Sequence, residues 1–225
     1  MLEILREKNR MYETVFMGVL TLLSLALSLF SFHYTGSYAF LFLNWNLFLA
    51  FVPWALTSVA IIRPGIQKSK IMIVLLLASW LLFFPNAPYI LTDLFHLRGQ
   101  SVMPVWFNLV LILSYAWTGL LFGFLSLWDM EQIFGKKMNP VAVKLMVSAL
   151  LFLGSFGVYV GRFLRWNSWD VITEPFKLFY DISDRVANPF HHPRTWGMTL
   201  FLGLFLNMIY WSFRMVQLKV QPKEE

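Results

Sequence analysis

Apolar residues along this chain are gathered into six long runs that short polar connectors separate. The runs cover residues 14–32, 38–62, 71–91, 102–128, 141–160 and 196–213. A predominantly apolar run of about 18 residues or more is long enough to cross a bilayer as an α-helix. Overall, 58% of the residues are hydrophobic and only 13% are charged, which excludes an ordinary soluble domain. The pattern predicts an all-α, polytopic membrane bundle of six transmembrane helices, built as a single integral membrane domain over residues 1–225.

One connector is long, because about 35 residues separate the fifth and sixth runs. Thr173-Glu174-Pro175 is typical of a helix start, and Asn188-Pro189 is typical of a helix end. Between them, apolar residues recur at helical spacing, at Ile172, Phe176, Phe179, Ile182 and Val186. We expect a short amphipathic helix, which either lies on the outer membrane surface or covers the bundle as a lid.

The basic residues are divided unevenly between the two sides of the predicted bundle. Twelve lysines and arginines fall on the side of the termini, and six fall on the other side: Arg98, Arg162, Arg165, Lys177, Arg185 and Arg194. The positive-inside rule therefore predicts a multi-pass protein of the cytoplasmic (cell) membrane with both termini in the cytoplasm. Basic residues beside apolar runs favour membrane lipids as the partner and not nucleic acid.

The third run contains a break. Residues 71–84 are 14 residues, apolar except for Ser79, and form about 21 Å of helix, whereas the hydrocarbon core is about 30 Å thick. Pro85 and Pro88 follow, with Asn86 between them, and prolines kink or end a helix. Beyond the break, a polar stripe occupies positions i, i+3, i+4 and i+7 of a predicted short helix: Tyr89, Thr92, Asp93 and His96.

Asp93 and His96 are the candidate catalytic residues. As neighbours on one helix face, a carboxylate and an imidazole can serve as an acid/base pair or as two metal ligands. Asn86, Tyr89 and Thr92 are candidate supporting residues of the same segment. The alternative is a polar helix end whose groups only satisfy one another.

The end of the fifth run carries a second polar group. Arg162 and Arg165 are three residues apart, so on a helix their guanidiniums form a fork for a phosphate or carboxylate. We take these two arginines as candidate anion-binding residues, with Asn167, Trp169 and Asp170 in support. Alternatively they are structural ion-pair partners, one for Asp93 across the bundle and one for Asp170, because unpaired charges are costly at membrane depth.

Metal and cofactor chemistry have little support in the sequence. Adjacent His191 and His192 are weak metal candidates, but the chain has only four histidines and lacks the spacing of known metal motifs. The absence of cysteine excludes thiolate ligands and cysteine nucleophiles. We therefore predict no metal site, and the sequence leaves the cofactor unknown.

Two glycine pairs, Gly119/Gly123 and Gly157/Gly161, each place small residues on one helix face. In membranes this spacing favours close approach between helices. We expect packing roles for both pairs.

The two polar segments resemble the signature stretches of a known family. Phe84-Pro85-Asn86-Ala87-Pro88-Tyr89 with Thr92-Asp93-Leu94-Phe95-His96-Leu97 is the first, and residues 161–170 (GRFLRWNSWD) are the second. Together they look like the bacterial integral membrane family called domain of unknown function 1361. The resemblance implies an integral membrane protein of this size, without an established activity.

Three functions fit these features. The first is an enzyme that acts on a lipid or lipid-linked anionic substrate at a polar site on the outer membrane interface, between the ends of spans three and five. The second is a structural or assembly partner in the cell envelope, for which the protein partners are unknown. The third is a small-solute transporter, because broken helices are typical of transport sites.

Overall fold

The computed structural model describes residues 2–97 and 103–220, with side chains described over 10–97 and 103–216. Arg98 and Val102 lie outside the described residues, as do the side chains of Arg6, Lys8, Lys219 and Lys223. All regular structure in the described ranges is helical, which confirms the all-α prediction. The α-helices are α1 Leu2–Thr35, α2 Phe42–Ile62, α3 Pro64–Lys68, α4 Lys70–Phe83, α5 Asn86–Tyr89, α6 Val105–Gly135, α7 Pro140–Phe163, α8 Asp170–Thr173, α9 Pro175–Ala187 and α10 Pro193–Val220.

Within the described residues, six helical stretches are long and apolar enough to cross a membrane, as predicted. They are Arg10–Thr35, Phe42–Ile62, Lys70–His96, Val105–Gly135, Pro140–Phe163 and Pro193–Val216. Most extend past the apolar runs because a helix continues until its backbone is capped, whatever the polarity of its last residues. α6, for example, runs through Asp129 to Gly135 instead of ending at residue 128.

The chain forms two compact units, Met1–Ile133 and Phe134–Glu225. In the first unit, α2 contacts α4, α5 and the 3₁₀ helix Ile90–His96. α2 buries Leu43, Leu47, Ala50 and Trp54, which lie on one helix face. This face brings α2 against the broken third span, which carries the first candidate group.

The predicted break in the third span is confirmed. α4 ends at Phe83, the single turn α5 follows, and the chain continues as a 3₁₀ helix over Ile90–His96. Gly119 and Gly123 of α6 make room for this segment. A Cβ added at Gly119 would lie 2.7 Å from Ile90 Cδ1, and one at Gly123 would lie 2.7 Å from Ala87 Cβ. This confirms the packing role of that pair, whereas the role of Gly157 and Gly161 stays a prediction.

In the second unit, α7 and α10 pack side by side. Gly203 of α10 lies against Phe152 of α7, where an added Cβ would meet the Phe152 ring within 2.2 Å. Trp211 Nε1 also donates to Ser148 Oγ at 3.2 Å. The predicted amphipathic helix is present as α9, which begins at Pro175 and ends just before Asn188. The 3₁₀ turn Pro189–His191 then leads into α10.

Candidate functional site

Side chains bond two backbone carbonyls beside the prolines at the end of the third span. Asn86 Nδ2 donates to the Phe83 carbonyl at 2.9 Å, and Thr92 Oγ1 donates to the Tyr89 carbonyl at 2.6 Å. Asn and Thr side chains that bond a carbonyl three residues back compete with the regular helical hydrogen bonds and favour a local turn. Two of the predicted supporting residues, Asn86 and Thr92, therefore stabilise the broken backbone.

The predicted polar stripe is wrong in its geometry, because residues 90–96 do not form an α-helix. The i, i+3, i+4, i+7 spacing assumes an α-helix, but residues 90–96 form a 3₁₀ helix with three residues per turn. In that geometry Asp93 and His96 remain one turn apart on one face, whereas Tyr89 no longer aligns with Asp93. Thr92 and Asp93 are buried and His96 is exposed, so the stripe does not form one accessible surface.

Asp93 is completely buried, and α2 supplies a hydrogen-bond donor to it. Asn46 Nδ2 donates to Asp93 Oδ2 at 3.0 Å. One turn earlier on α2, the Phe42 ring packs edge-on against the His96 imidazole, with 5.6 Å between ring centroids. Phe42 and Asn46 are four residues apart and share one face of α2. That face therefore positions both members of the candidate catalytic pair.

In the second unit, Arg162 and Arg165 do not share a helix face. α7 ends at Phe163, with Arg162 half-buried in its last turn. Arg165 is exposed and has φ +60°, in the left-handed region that is typical of the residue ending a helix. The predicted helical fork is therefore wrong as geometry, because the chain turns before Arg165. Both guanidiniums remain candidate anion ligands.

Asp170 organises the loop that follows. Its Oδ2 accepts from the Asn167 backbone N–H at 2.7 Å and from Asn167 Nδ2 at 3.2 Å. Thr173 Oγ1 donates to Asp170 Oδ1 at 3.1 Å. The Asn167 backbone donor first, and these side-chain donors next, hold the pKa of Asp170 below its ordinary value. Asp170 thus closes the loop through Asn167 and Thr173, while Trp169 immediately before it is partly exposed.

The polar face of α9 is also bonded within the second unit. Trp166 Nε1 donates to Asp181 Oδ2 at 2.8 Å, and Arg185 Nη1 lies 3.3 Å from Asp181 Oδ1. His192 Nε2 lies 2.7 Å from Asp184 Oδ2. Among the described residues, no three metal-ligating side chains come together in a way that could hold a metal ion. His191 is exposed, and His192 is half-buried beside Asp184.

A charged cluster in the first unit is missing from the sequence prediction. Arg10 of α1 forms ion pairs with Glu13 at 2.6 Å and with Asp129 of α6. Thr57 Oγ1 of α2 donates to Asp129 at 2.7 Å, and Arg10 stacks over the Trp54 ring at 5.2 Å. Asp129 directly follows the fourth apolar run, and an acid so near membrane depth is a usable signal for a buried pair.

A second polar group in the same unit joins three spans. Tyr115 of α6 donates to Ser28 of α1 at 2.8 Å and is also hydrogen-bonded to Asn44 of α2. Ser24 and Thr118 lie 3.3 Å apart nearby. These neutral bonds hold helices together, as polar side chains commonly do inside membranes.

Comparison with known proteins identifies one relationship. A family model described as Protein of unknown function (DUF1361) matches residues 45–209. The match includes the third span with Asp93 and His96, and also the whole segment from Arg162 to His192. No curated protein and no solved structure matches the chain.

Proposed function

The chain belongs to the family of proteins of unknown function DUF1361, and we propose that it is a membrane enzyme acting on a lipid or lipid-linked anionic substrate. In this proposal Asp93 and His96 transfer a proton, and Arg162 and Arg165 each offer a guanidinium to an anionic headgroup. We place the protein in the cytoplasmic membrane with both termini in the cytoplasm, because the basic residues follow the positive-inside rule.

The observation that carries the proposal is the contrast in burial between Asp93 and His96. Asp93 has no exposed surface and is held by Asn46, whereas His96 lies one turn later on the same face and is exposed. A fixed carboxylate beside an accessible imidazole is an arrangement that orients a general base. In the proposal, His96 is the member of the acid/base pair that substrate can reach, and Asp93 is its buried partner.

The two arginines support an anionic substrate. A guanidinium stays charged at all physiological pH values and presents planar donors that match phosphate or carboxylate oxygens. Arg165 is exposed in a left-handed turn, which carries its side chain away from the helical path of α7. Substitution of either arginine by glutamine should weaken substrate binding more than it slows the chemical step.

The test is complementation of a strain that lacks this protein, with the membrane lipids profiled by mass spectrometry. We expect at least one lipid or lipid-linked species to change in the deletion strain and to be restored by the wild-type chain. His96→Gln and Asp93→Asn should restore turnover about a hundredfold less well, the typical loss for a general base. His33→Gln is the matched control, because His33 is an exposed histidine in the last turn of α1.

Two measurements keep this test decisive. Each variant is quantified in the membrane and its unfolding temperature is determined, so that loss of protein is separated from loss of chemistry. Asp93→Asn keeps a side chain that can bond Asn46 while it removes the carboxylate. If His96→Gln and Asp93→Asn, present at wild-type amounts, restore the lipid profile fully, the acid/base assignment is wrong.

A second candidate function is that of a structural or assembly partner in the envelope. It is favoured by the hydrogen bonds that the carboxylates of Asp93 and Asp170 make within the protein. Asp93 ties the third span to α2 through Asn46, and Asp170 is engaged by Asn167 and Thr173. On this interpretation, Asn46→Ala lowers the unfolding temperature, whereas His96→Gln changes neither stability nor the lipid profile. The behaviour of His96→Gln therefore separates the two candidates.

A further inference from the structure

Helix α9 presents an apolar face that no part of the described chain covers. Phe176, Phe179 and Tyr180 lie at i, i+3 and i+4 on one face, with 87%, 72% and 72% of their surface exposed. Residues beyond both ends continue this surface, with Ile172 84% and Phe190 95% exposed. Large exposed apolar patches of this kind mark surfaces that contact a membrane or a protein.

The opposite face of α9 is turned toward its own unit. Asp181 accepts from Trp166, and the Arg185 carbonyl accepts from Trp196 Nε1 at 3.0 Å. Asp184 is bonded by Asn188 Nδ2 at 2.8 Å and by His192. Asp181, Asp184 and Arg185 are thus used in internal contacts, and the exposed face formed by Phe176, Phe179 and Tyr180 carries no charge. A lid would show the reverse arrangement, with its apolar side against the protein.

The connections on both sides of α9 limit its distance from α7 and α10. α9 begins twelve residues after α7 ends at Phe163, with the four residues of α8 between them, and α10 begins six residues after α9 ends at Ala187. Even with their irregular parts fully extended, these connections span no more than about 35 Å and about 22 Å. α9 itself has 13 residues, about 20 Å, which is too short to cross the hydrocarbon core. It is therefore held close to the ends of two membrane-crossing helices.

We propose that the exposed apolar face of α9, namely Phe176, Phe179 and Tyr180 with flanking Ile172 and Phe190, is inserted into the surface layer of the bilayer that the protein's own spans cross. The exposed apolar side chains of α10, such as Phe201 and Leu204, already require lipid around this unit. The α9 face extends that same lipid-contacting surface.

The net charge of residues 170–192 indicates whether insertion depends on the headgroup charge of the lipids. Residues 170–192 hold two basic and four acidic side chains, a net charge of −2 with neutral histidines. Membrane-surface helices that depend on anionic lipid instead carry lysines and arginines on the polar face. Insertion of α9 is consequently driven by apolar burial, and it should be the same in neutral and in anionic bilayers.

The absence of cysteine from the chain allows a direct test. Phe176→Cys and Phe179→Cys each receive a polarity-sensitive maleimide fluorophore in the full chain, reconstituted in phosphatidylcholine vesicles. Lys177→Cys is the matched control, since the Lys177 side chain is 75% exposed and lies about 100° around the helix from Phe176, beside the apolar face. Quenching by aqueous iodide is compared with quenching by lipids that carry a nitroxide on the acyl chain.

We expect iodide quenching at positions 176 and 179 to be about five-fold weaker than at 177, with efficient quenching by the nitroxide lipid. Adding phosphatidylglycerol to the vesicles should leave these values unchanged. Equal iodide quenching at all three positions overturns the proposal, because the face then lies in water. Protection from both quenchers also overturns it, because a protein surface then covers the face.

Insertion that occurs only with phosphatidylglycerol contradicts the apolar driving force. Every outcome is read by fluorescence and needs no substrate. Failure of this proposal is therefore distinguishable from failure of the catalytic assignment of Asp93 and His96.

Discussion

Arg10 of α1 and Asp129 of α6 form an ion pair in which only 12% and 6% of the side-chain surfaces are exposed. Thr57 adds a hydrogen bond to the same carboxylate. When one member of such a pair is removed, the other charge stays buried without compensation, which typically costs about 3–5 kcal/mol. We predict that Arg10→Met lowers the free energy of unfolding by about this amount, measured by denaturation of the solubilised protein.

The double variant Arg10→Met with Asp129→Leu should recover most of that loss, because two apolar side chains carry no desolvation penalty. Lys144→Met is the control, since Lys144 is an exposed basic residue on α7 and its loss should change stability little. A double variant as unstable as Arg10→Met alone would show that the pair is needed for more than charge compensation.

Asp184 makes the end of α9 sensitive to acid. The Asn188 amide, and next His192, hold the pKa of Asp184 below its ordinary value near 3.9. A lowered folded-state pKa stabilises the native state above the unfolded pKa, and this stability is lost as pH falls through the folded value. We predict that the protection factors of amides in residues 184–192, measured by hydrogen exchange, fall below about pH 4. Asp184→Asn should exchange faster already at neutral pH and show little further acid response.

At the scale of elements, the close contact between α6 and α5 depends on the absence of a side chain at Gly123. A Cβ there would lie 2.7 Å from Ala87 Cβ, an atom that cannot move without its backbone. Gly123→Ala should therefore cost about 1–3 kcal/mol, the usual range for overpacking. Gly18→Ala is the matched control, because Gly18 is helical with open space around it, and alanine is the better helix former there.

Thermal unfolding of the two variants decides this point. We expect a lower unfolding temperature for Gly123→Ala and an unchanged or higher one for Gly18→Ala. Gly123→Ala as stable as Gly18→Ala would mean that α5 moves away from α6 at no cost.

The elements themselves could be predicted from the sequence, because run length and proline position determine where helices form and break. The type of helix that follows Pro88 could not be predicted from the sequence. Whether residues 90–96 form an α- or a 3₁₀ helix depends on tertiary packing against α2 and on local side-chain hydrogen bonds to the backbone. For the same reason the helical fork of Arg162 and Arg165 was not predictable, since the left-handed turn at Arg165 carries no glycine to signal it.

At the scale of the whole molecule, the distribution of charged residues between the two membrane sides indicates the candidate site residues. It does not indicate whether their side chains are buried. Asp93 is a polar residue in an amphipathic pattern whether its carboxylate faces water or protein. Its carboxylate is buried and is bonded by Asn46 of α2, a residue 47 positions away along the chain. Arg10 is likewise one of the basic residues that indicate the topology, although its charge is paired inside the fold. Local patterns thus locate polar groups, whereas long-range contacts determine which of them are accessible.

The orientation of the molecule can be tested at the connection between α6 and α7. Residues 135–140 are exposed in the structure, and Lys136 and Lys137 are basic residues on the side predicted to face the cytoplasm. Trypsin should cut there in inside-out membrane vesicles and leave the connection intact in right-side-out vesicles. Cleavage after Lys137 separates residues 1–137 from residues 138–225, whatever other sites trypsin also cuts. The variant Lys136→Gln with Lys137→Gln should lose cleavage at this connection in both preparations. Cleavage of the wild type from the outside would invert the topology and place His96 and the apolar face of α9 on the cytoplasmic side.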